Sequence, residues 1–210
     1  MNDRSGIMAE LTDAERASLQ VVLGEEKSPM RISYAKIFTP EKNDLSGKDE
    51  YSCMVLIPKS DTKAVNAVKN AIMMAIKGKF GDKKPNGLRI PLRDGDKDGD
   101  GGVPSGAQAG TSPYGDHYFV NAKNTRKPGV VDEYNVKLID SNKLVSGDYV
   151  IAALNAFGYS NKSKGVAFSL NGIQKVRTGE PLGNSFDTDS VFKSLAPQEV
   201  AKETDDEMFD

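Results

Sequence analysis

Tryptophan is absent from this 210-residue chain, and cysteine and histidine occur once each, as Cys53 and His117. A single cysteine excludes an internal disulfide and suits a reducing compartment. One Cys and one His fall short of the four ligands of a structural zinc site. They would suffice for a nucleophile–base pair. Cys53, however, sits in Tyr51-Ser52-Cys53-Met54-Val55-Leu56-Ile57, an apolar run where a thiol is expected to be buried and inert. No apolar stretch approaches the ~20 residues of a membrane-spanning helix. The opening MNDRSGIMAEL lacks the basic-then-apolar order of a secretory leader. Also missing are a Walker loop, a G-x-G-x-x-G after a strand and a G-x-S-x-G elbow. The chain is therefore not expected to be an enzyme, and no cofactor and no metal ligand is assigned to it.

Charge is present in quantity but unevenly placed. The formal net charge is −2. Residues 178–210 hold nine acids and two bases, and residues 1–27 hold six acids and three bases. The body between them, residues 28–177, has 23 bases and 15 acids, a balance of +8. A basic body joined to an acidic tail is a sign of nucleic-acid contact or self-regulation. The sequence pI of about 5.6 conceals this.

Periodicity gives a mainly β reading. Thr12 and Glu15 are spaced as a capping box. They start a helix that either runs to about Leu23 or yields to a strand at Val21-Val22-Leu23. Met30–Phe38 alternates, with Met30, Ile32, Tyr34 and Lys36 on one face and Arg31, Ser33, Ala35 and Ile37 on the other. These mixed faces suggest a strand near a site. Tyr51–Ile57 is a second strand, stopped by Pro58. Asp61 caps a helix on which Ala64, Val65, Val68, Ile72 and Ala75/Ile76 recur, with Gly78 and Gly81 ending it. Residues 81–115 are rich in Gly, Pro, Asp and Ser, a loop of a length that is functional or disordered. Strands follow at Tyr118–Lys123, Val130-Val131, Val136–Ile139, Tyr149–Phe157 and Val166–Val176. Short turns and one helix between early strands predict a small β-barrel rather than a doubly wound sheet. Past Gly179 the pattern ends, apart from at most one helical turn at Asp189–Leu195, and disorder is expected. The organisation is thus an N-terminal extension (1–27), a barrel domain (28–179) and an acidic tail (180–210).

Two constellations compete for function. Asp94-Gly95-Asp96-Lys97-Asp98-Gly99-Asp100 has half the pattern of a calcium loop, but its twelfth position is Ser105 and not a bidentate Glu. An acidic solvated loop is expected there. The alternative functions are a metal-dependent nucleic-acid enzyme or a calcium-binding interaction module. The second constellation is basic and aromatic. Lys123-Asn124-Thr125-Arg126-Lys127 follows one strand, and Phe157-Gly158-Tyr159-Ser160-Asn161-Lys162-Ser163-Lys164 joins two others. Tyr34 and Lys36 lie on an early strand. Single-stranded nucleic acid needs cations along its backbone path and flat rings for its bases, stacking contributing ~1–3 kcal/mol per base. The candidate contacts are Tyr34, Lys36, Arg89, Arg93, Tyr118, Lys123, Arg126, Lys127, Phe157, Tyr159, Lys162 and Lys164. Each Tyr alone is as readily a core ring, and each Lys alone a solubilising charge. Their recurrence on one basic body favours the binding surface.

Several stretches carry a resemblance. These are Gly115-Asp116-His117-Tyr118-Phe119-Val120-Asn121-Ala122-Lys123, Lys127-Pro128-Gly129-Val130-Val131-Asp132, Ile57-Pro58-Lys59-Ser60-Asp61, Ser146-Gly147-Asp148-Tyr149-Val150 and Lys164-Gly165-Val166. In this order, over about Arg31–Gly183, the chain resembles the phage single-stranded-DNA-binding proteins. The resemblance implies a five-stranded oligonucleotide-binding (OB) barrel with one main helix and extended loops. It implies coating of single strands in phage replication, recombination and repair, within the cytoplasm of the infected bacterium, and it leaves a homodimer open. It also implies a flexible acidic C-terminus ending in an aromatic. Here Phe209 is penultimate and Asp210 follows it.

The terminal KETDDEMFD then acquires a physical reading. A coil of 33 residues from Thr178 spans about 30 Å. The radius of gyration of a body of ~150 residues is about 15 Å. Tethering holds the tail at about millimolar effective concentration, enough to compete with weak DNA binding. Asp205, Asp206 and Glu207 would steer, and Met208 and Phe209 would anchor, a replication partner such as a polymerase or helicase.

Overall fold

Thr12 Oγ1 accepts a hydrogen bond from the Glu15 N–H, and the Glu15 carboxylate accepts one from the Thr12 N–H at 2.9 Å. This capping box starts α1 (Asp13–Ala17). The helix stops after one turn, because the β-branched pair Val21-Val22 goes instead into a strand, β1 (Gln20–Leu23). The computed structural model describes residues 11–44, 46–82, 84–97, 114–180 and 182. The remaining elements are β2 (Met30–Lys42), β3 (Asp49–Pro58), α2 (Thr62–Phe80), β4 (Arg93–Asp94), β5 (His117–Asn124), β6 (Gly129–Val131), β7 (Tyr149–Ser160) and β8 (Lys164–Arg177).

Five strands close a ring in the order β2-β3-β5-β8-β7 and back to β2. All neighbours are antiparallel except β5 and β8, which run parallel through Ala122–Phe168 and Lys123–Ser169. The chain is mainly β, and this is the OB barrel, with β2, β3, β5, β7 and β8 as its first to fifth strands. β1 adds to β7, so the described part of the N-terminal extension joins the same sheet. β6 adds to β8.

The barrel interior follows from alternation. Cys53, Val55 and Ile57 on β3, Val120 and Ala122 on β5, and Leu154, Ala156, Phe168 and Leu170 on the closing hairpin form one buried cluster. Each large aliphatic or aromatic member contributes about 1.5–3 kcal/mol by leaving water. α2 joins this core with Ala64, Val65, Val68, Ala71, Ile72, Ala75 and Gly78. Asp61 caps its start by accepting from the Ala64 N–H at 2.9 Å. Gly81, at φ 69°, ends it.

Three expectations are corrected. Gly78 does not end α2 but lies within it, because a Cβ there would stand 2.9 Å from the Leu11 side chain. Val136–Ile139 is not a strand. Only Lys137 makes a bridge, to Val131, since Asp132 Oδ1 captures the N–H groups of Tyr134 and Val136 in a turn. The faces of β2 do not keep one parity, because a bulge lies between Ser33 and Lys36. Met30, Ile32, Ser33 and Ile37 are all buried, while Tyr34 is 49% exposed at φ 48°. The tail, with Asp189–Leu195, lies outside the described residues beyond Leu182.

Candidate nucleic-acid interface

The outer face of β3 and β5 carries both an apolar and a polar zone. Toward one end, Met54, Leu56 and Phe119 are covered by Tyr114 and Leu182. Tyr114 bonds to Ser33 of β2 through its hydroxyl at 3.1 Å. Arg93 of β4 pairs with Phe119 and places its guanidinium 5.4 Å from that ring. Toward the other end the side chains turn polar. Register aligns Lys36 with Ser52, Ser52 with Lys123, Lys123 with Ser169 and Ser169 with Asn155. One row thus crosses β2, β3, β5, β8 and β7, with Asn121 exposed beside it.

The turn after β5 extends this row. Asn124 donates its amide to Ser169 Oγ (3.0 Å) and the Leu170 carbonyl (2.9 Å), and its Oδ1 accepts from the Arg126 N–H (3.0 Å). The side chain of one buried-edge residue therefore sets the turn that presents Arg126 and Lys127. The Lys127 ammonium lies 6.0 Å from the ring of Phe38 on β2. Lys36 forms an ion pair with Glu41 at 2.6 Å. Lys123, Arg126 and Lys127 engage in no ion pair among the described residues. In an OB barrel, the second and third strands and the loops after the first and fourth are where oligonucleotides bind. Here those are β3, β5, residues 43–48 and residues 161–163.

A second basic group forms at the β7–β8 turn. Arg89 donates its N–H to the Lys164 carbonyl and bridges Gly165, which brings Arg89, Lys162 and Lys164 to one end of the barrel. Lys164 is five residues, about 17 Å, from the Ser169 row. The ring of Tyr159 covers Gly165: a Cβ there would meet its hydroxyl at 2.6 Å. Phe157 is 44% exposed but lines a groove against α1 and α2 with Leu11, Leu19 and Met74. Tyr118 packs against the core cluster, with the ammonium groups of Lys59 and Lys69 at 5.1 and 5.9 Å from its ring. Of the four expected aromatics, Tyr34 is the one beside the Lys36–Lys123 row.

Sequence reasoning passed over Phe38, Ser52, Asn121 and the Arg31–Tyr149–Arg177 stack. Continued alternation past Ile37 was a signal for Phe38. None existed for the stack, whose guanidinium groups lie 5.5 and 4.1 Å from the Tyr149 ring across long sequence distances. Arg31 also donates to the carbonyls of Gly147 and Glu180, fixing the chain after β8 near this face.

The acidic loop is organised by a lysine. Lys59 Nζ stands 2.5 Å from both Asp94 and Asp96. These bonds hold both carboxyls below the usual carboxylate range and raise the Lys59 ammonium. Asp96 also accepts the Asp116 N–H. The half-calcium pattern therefore has its first and third carboxylates committed to Lys59, and Asp98 and Asp100 lie outside the described residues. No group of three metal-binding side chains occurs among the described residues. Cys53 is buried, which pushes its thiol up to about 12. It pairs with Ala122, whereas His117 pairs with Pro58, five positions along the ladder. They form no nucleophile–base pair.

The family model described as the Enterobacter phage Enc34 ssDNA-binding protein matches residues 19–208. The chain belongs to this family. The match begins before the stretch that the sequence resemblance covered, taking in β1. Protein p50 of Acyrthosiphon pisum secondary endosymbiont phage 1 is 32% identical over 164 residues, covering 72% of this chain and 82% of that protein. Among solved structures, the single-stranded DNA-binding protein from bacteriophage Enc34 in complex with ssDNA superposes with a TM-score of 0.63 at 21% identity. That match covers 78% of this chain and 88% of the other. A C-terminally truncated form of the same protein gives 0.60 at 20% identity, covering 77% and 86%. These likenesses show the shared fold. The family is one of DNA-binding proteins and not of enzymes. No described helix is long and apolar enough to cross a membrane.

Proposed function

We propose that this protein binds single-stranded DNA without strong sequence preference, laying the strand across the outer face of β3 and β5. The observation that carries this is the cross-strand row Lys36–Ser52–Lys123–Ser169, flanked by Arg126 and Lys127, on the strands where an OB barrel takes oligonucleotides. Lysines and arginines there contact phosphates, which carry no sequence information. Arg89, Lys162 and Lys164 would extend the path at the β7–β8 turn. Membership of a phage family supports a role in coating single strands during replication, recombination and repair inside the infected cell. The acidic residues 180–210 would compete for the same face, and Asp205, Asp206, Glu207, Met208 and Phe209 would dock a polymerase or helicase. Supporting the first of these, the Glu180 carbonyl is bound by Arg31 and Leu182 packs on Met54, Leu56 and Phe119. These contacts put Glu180 and Leu182, at the start of the acidic segment, beside the proposed DNA face. The Asp94–Asp100 alternative is disfavoured by the commitment of Asp94 and Asp96 to Lys59.

The test is fluorescence anisotropy of a labelled single strand of about 30 nucleotides, long enough for at least one OB site, at several salt concentrations. The full chain is compared with one ending at Gly183, which keeps Leu182 on its cluster. Tight, salt-sensitive, sequence-tolerant binding that strengthens on truncation is expected. Absence of binding by both chains refutes the reading.

A further inference from the structure

Tyr34 is the only non-glycine residue of the barrel strands with a left-handed backbone among the described residues, at φ 48°. An aromatic residue adopts that conformation at a cost, and such strain persists only where the surroundings enforce it; it concentrates at ligand clamps. The surroundings here are specific. The Ala35 N–H is taken by Ser146 Oγ at 3.0 Å, and the Ile32 carbonyl by the Gly147 N–H at 2.8 Å. Asp148, fully buried, accepts from the Val145 and Gly179 N–H groups and from Lys175 Nζ at 2.9 Å. The turn at residues 145–148 therefore holds the bulge of β2 open.

The consequence is a groove of about 510 Å³ between the bulge and residues 141–146, its walls including Tyr34, Lys36, Phe38, Val145 and Ser146. That volume is within the range of small-ligand clefts. Tyr34 and Val145 are 49% and 45% exposed, so the groove presents a ring and an aliphatic side chain to solvent. Two links join the groove to the DNA face. Lys36 belongs both to its wall and to the cross-strand row, and Phe38 belongs to its wall and lies under Lys127.

We infer that this groove is a nucleobase clamp: one base of the bound strand turns out of the path at β2 and stacks on the Tyr34 ring, while Lys36 and Lys127 hold the flanking phosphates. The inference rests on the proposed binding of single strands and assigns to that site a defined aromatic contact. Ring stacking tolerates any base, so the clamp adds affinity without sequence choice.

The chain has no tryptophan, so Tyr34→Trp installs a single tryptophan at the clamp, read by exciting to the red of the tyrosines. Titration with oligothymidine should quench its emission in step with the anisotropy rise. Tyr134→Trp, on an 81% exposed residue outside the groove, should bind equally and keep its emission. Tyr34→Ala should weaken binding about 5- to 150-fold, with the salt slope unchanged because no charge is lost. Tyr34→Gly should bind as weakly as Tyr34→Ala yet unfold at a higher temperature, because glycine adopts φ 48° without strain. If the Tyr34→Trp chain binds with unchanged emission, or Tyr34→Ala binds like the unsubstituted chain, the clamp is overturned while DNA binding stands. If the unsubstituted chain binds no single strand, the function itself fails.

Discussion

Replacing Lys123, Arg126 and Lys127 together by glutamine tests the DNA face through charge alone. All three are exposed, and none is in an ion pair among the described residues. Their removal should leave stability within about 0.5 kcal/mol. Each phosphate contact to a single strand adds about 0.7 to the slope of log affinity against log salt. A fourfold rise in salt therefore weakens binding by about 2.6-fold per contact and about 18-fold for three. Between ~50 and ~200 mM salt, the variant should lose about 18-fold less affinity than the unsubstituted chain. The assay is anisotropy at four or five salt concentrations across that range. A control removes equal charge elsewhere, with Lys27, Lys63 and Lys79 changed to glutamine. Parallel salt lines for the first variant would mean that these three residues touch no phosphate, and an equal slope change in the control would mean that only net charge matters; either result takes the path off the β3–β5 face.

Glu41→Gln frees Lys36 from its 2.6 Å pair; an exposed pair is worth about 0.2–1 kcal/mol, so binding should tighten up to about fivefold, and an unchanged constant would take Lys36 off the path. Gly158→Ala would place a Cβ 2.4 Å from the Lys79 Cβ and 2.9 Å from the Ala75 carbonyl. Overpacking of that kind costs about 1–3 kcal/mol, visible as a fall of several degrees in the melting midpoint. The Lys59 latch gives a signed pH response. Asp94 and Asp96 have lowered folded values, so their stabilisation is present above the ordinary carboxylate range and lost as pH falls through the folded values, below about pH 4. Lys59 has a raised value, so its contribution is lost only in strong alkali. Melting midpoints of Lys59→Met should accordingly show a flatter acid limb than those of the unsubstituted chain. Cys53, buried and pushed up to about 12, should resist maleimide until the barrel unfolds.

Much of this architecture is legible from short-range rules. Asp61 and Gly81 mark α2 because they satisfy orphan backbone groups at its ends, alternation marks β5, β7 and β8, and β3 shows as a continuous apolar run because Cys53–Ile57 is buried on both faces. Local rules fail where a distant segment intervenes. Gly78 reads as a terminator until Leu11, 67 positions earlier, is seen filling the space a side chain would need. Val136–Ile139 reads as a strand until Asp132 diverts its N–H groups into a turn.

The site shows the same division more sharply. Lys123, Arg126 and Lys127 are visible as a run, and their neighbours Lys36 and Ser52 become so only when the register is known. Strict alternation places Tyr34 with Met30 and Ile32, which would bury it. The bulge reverses that, and its cause lies in Ser146, Gly147 and Asp148, more than a hundred residues on. A period-two pattern cannot encode a residue inserted against the pleat. The exposed ring and the row of cations are therefore products of the closed barrel: the first strand must bulge to meet the turn before the fourth, and in bulging it turns an aromatic side chain from core to surface beside the phosphate path.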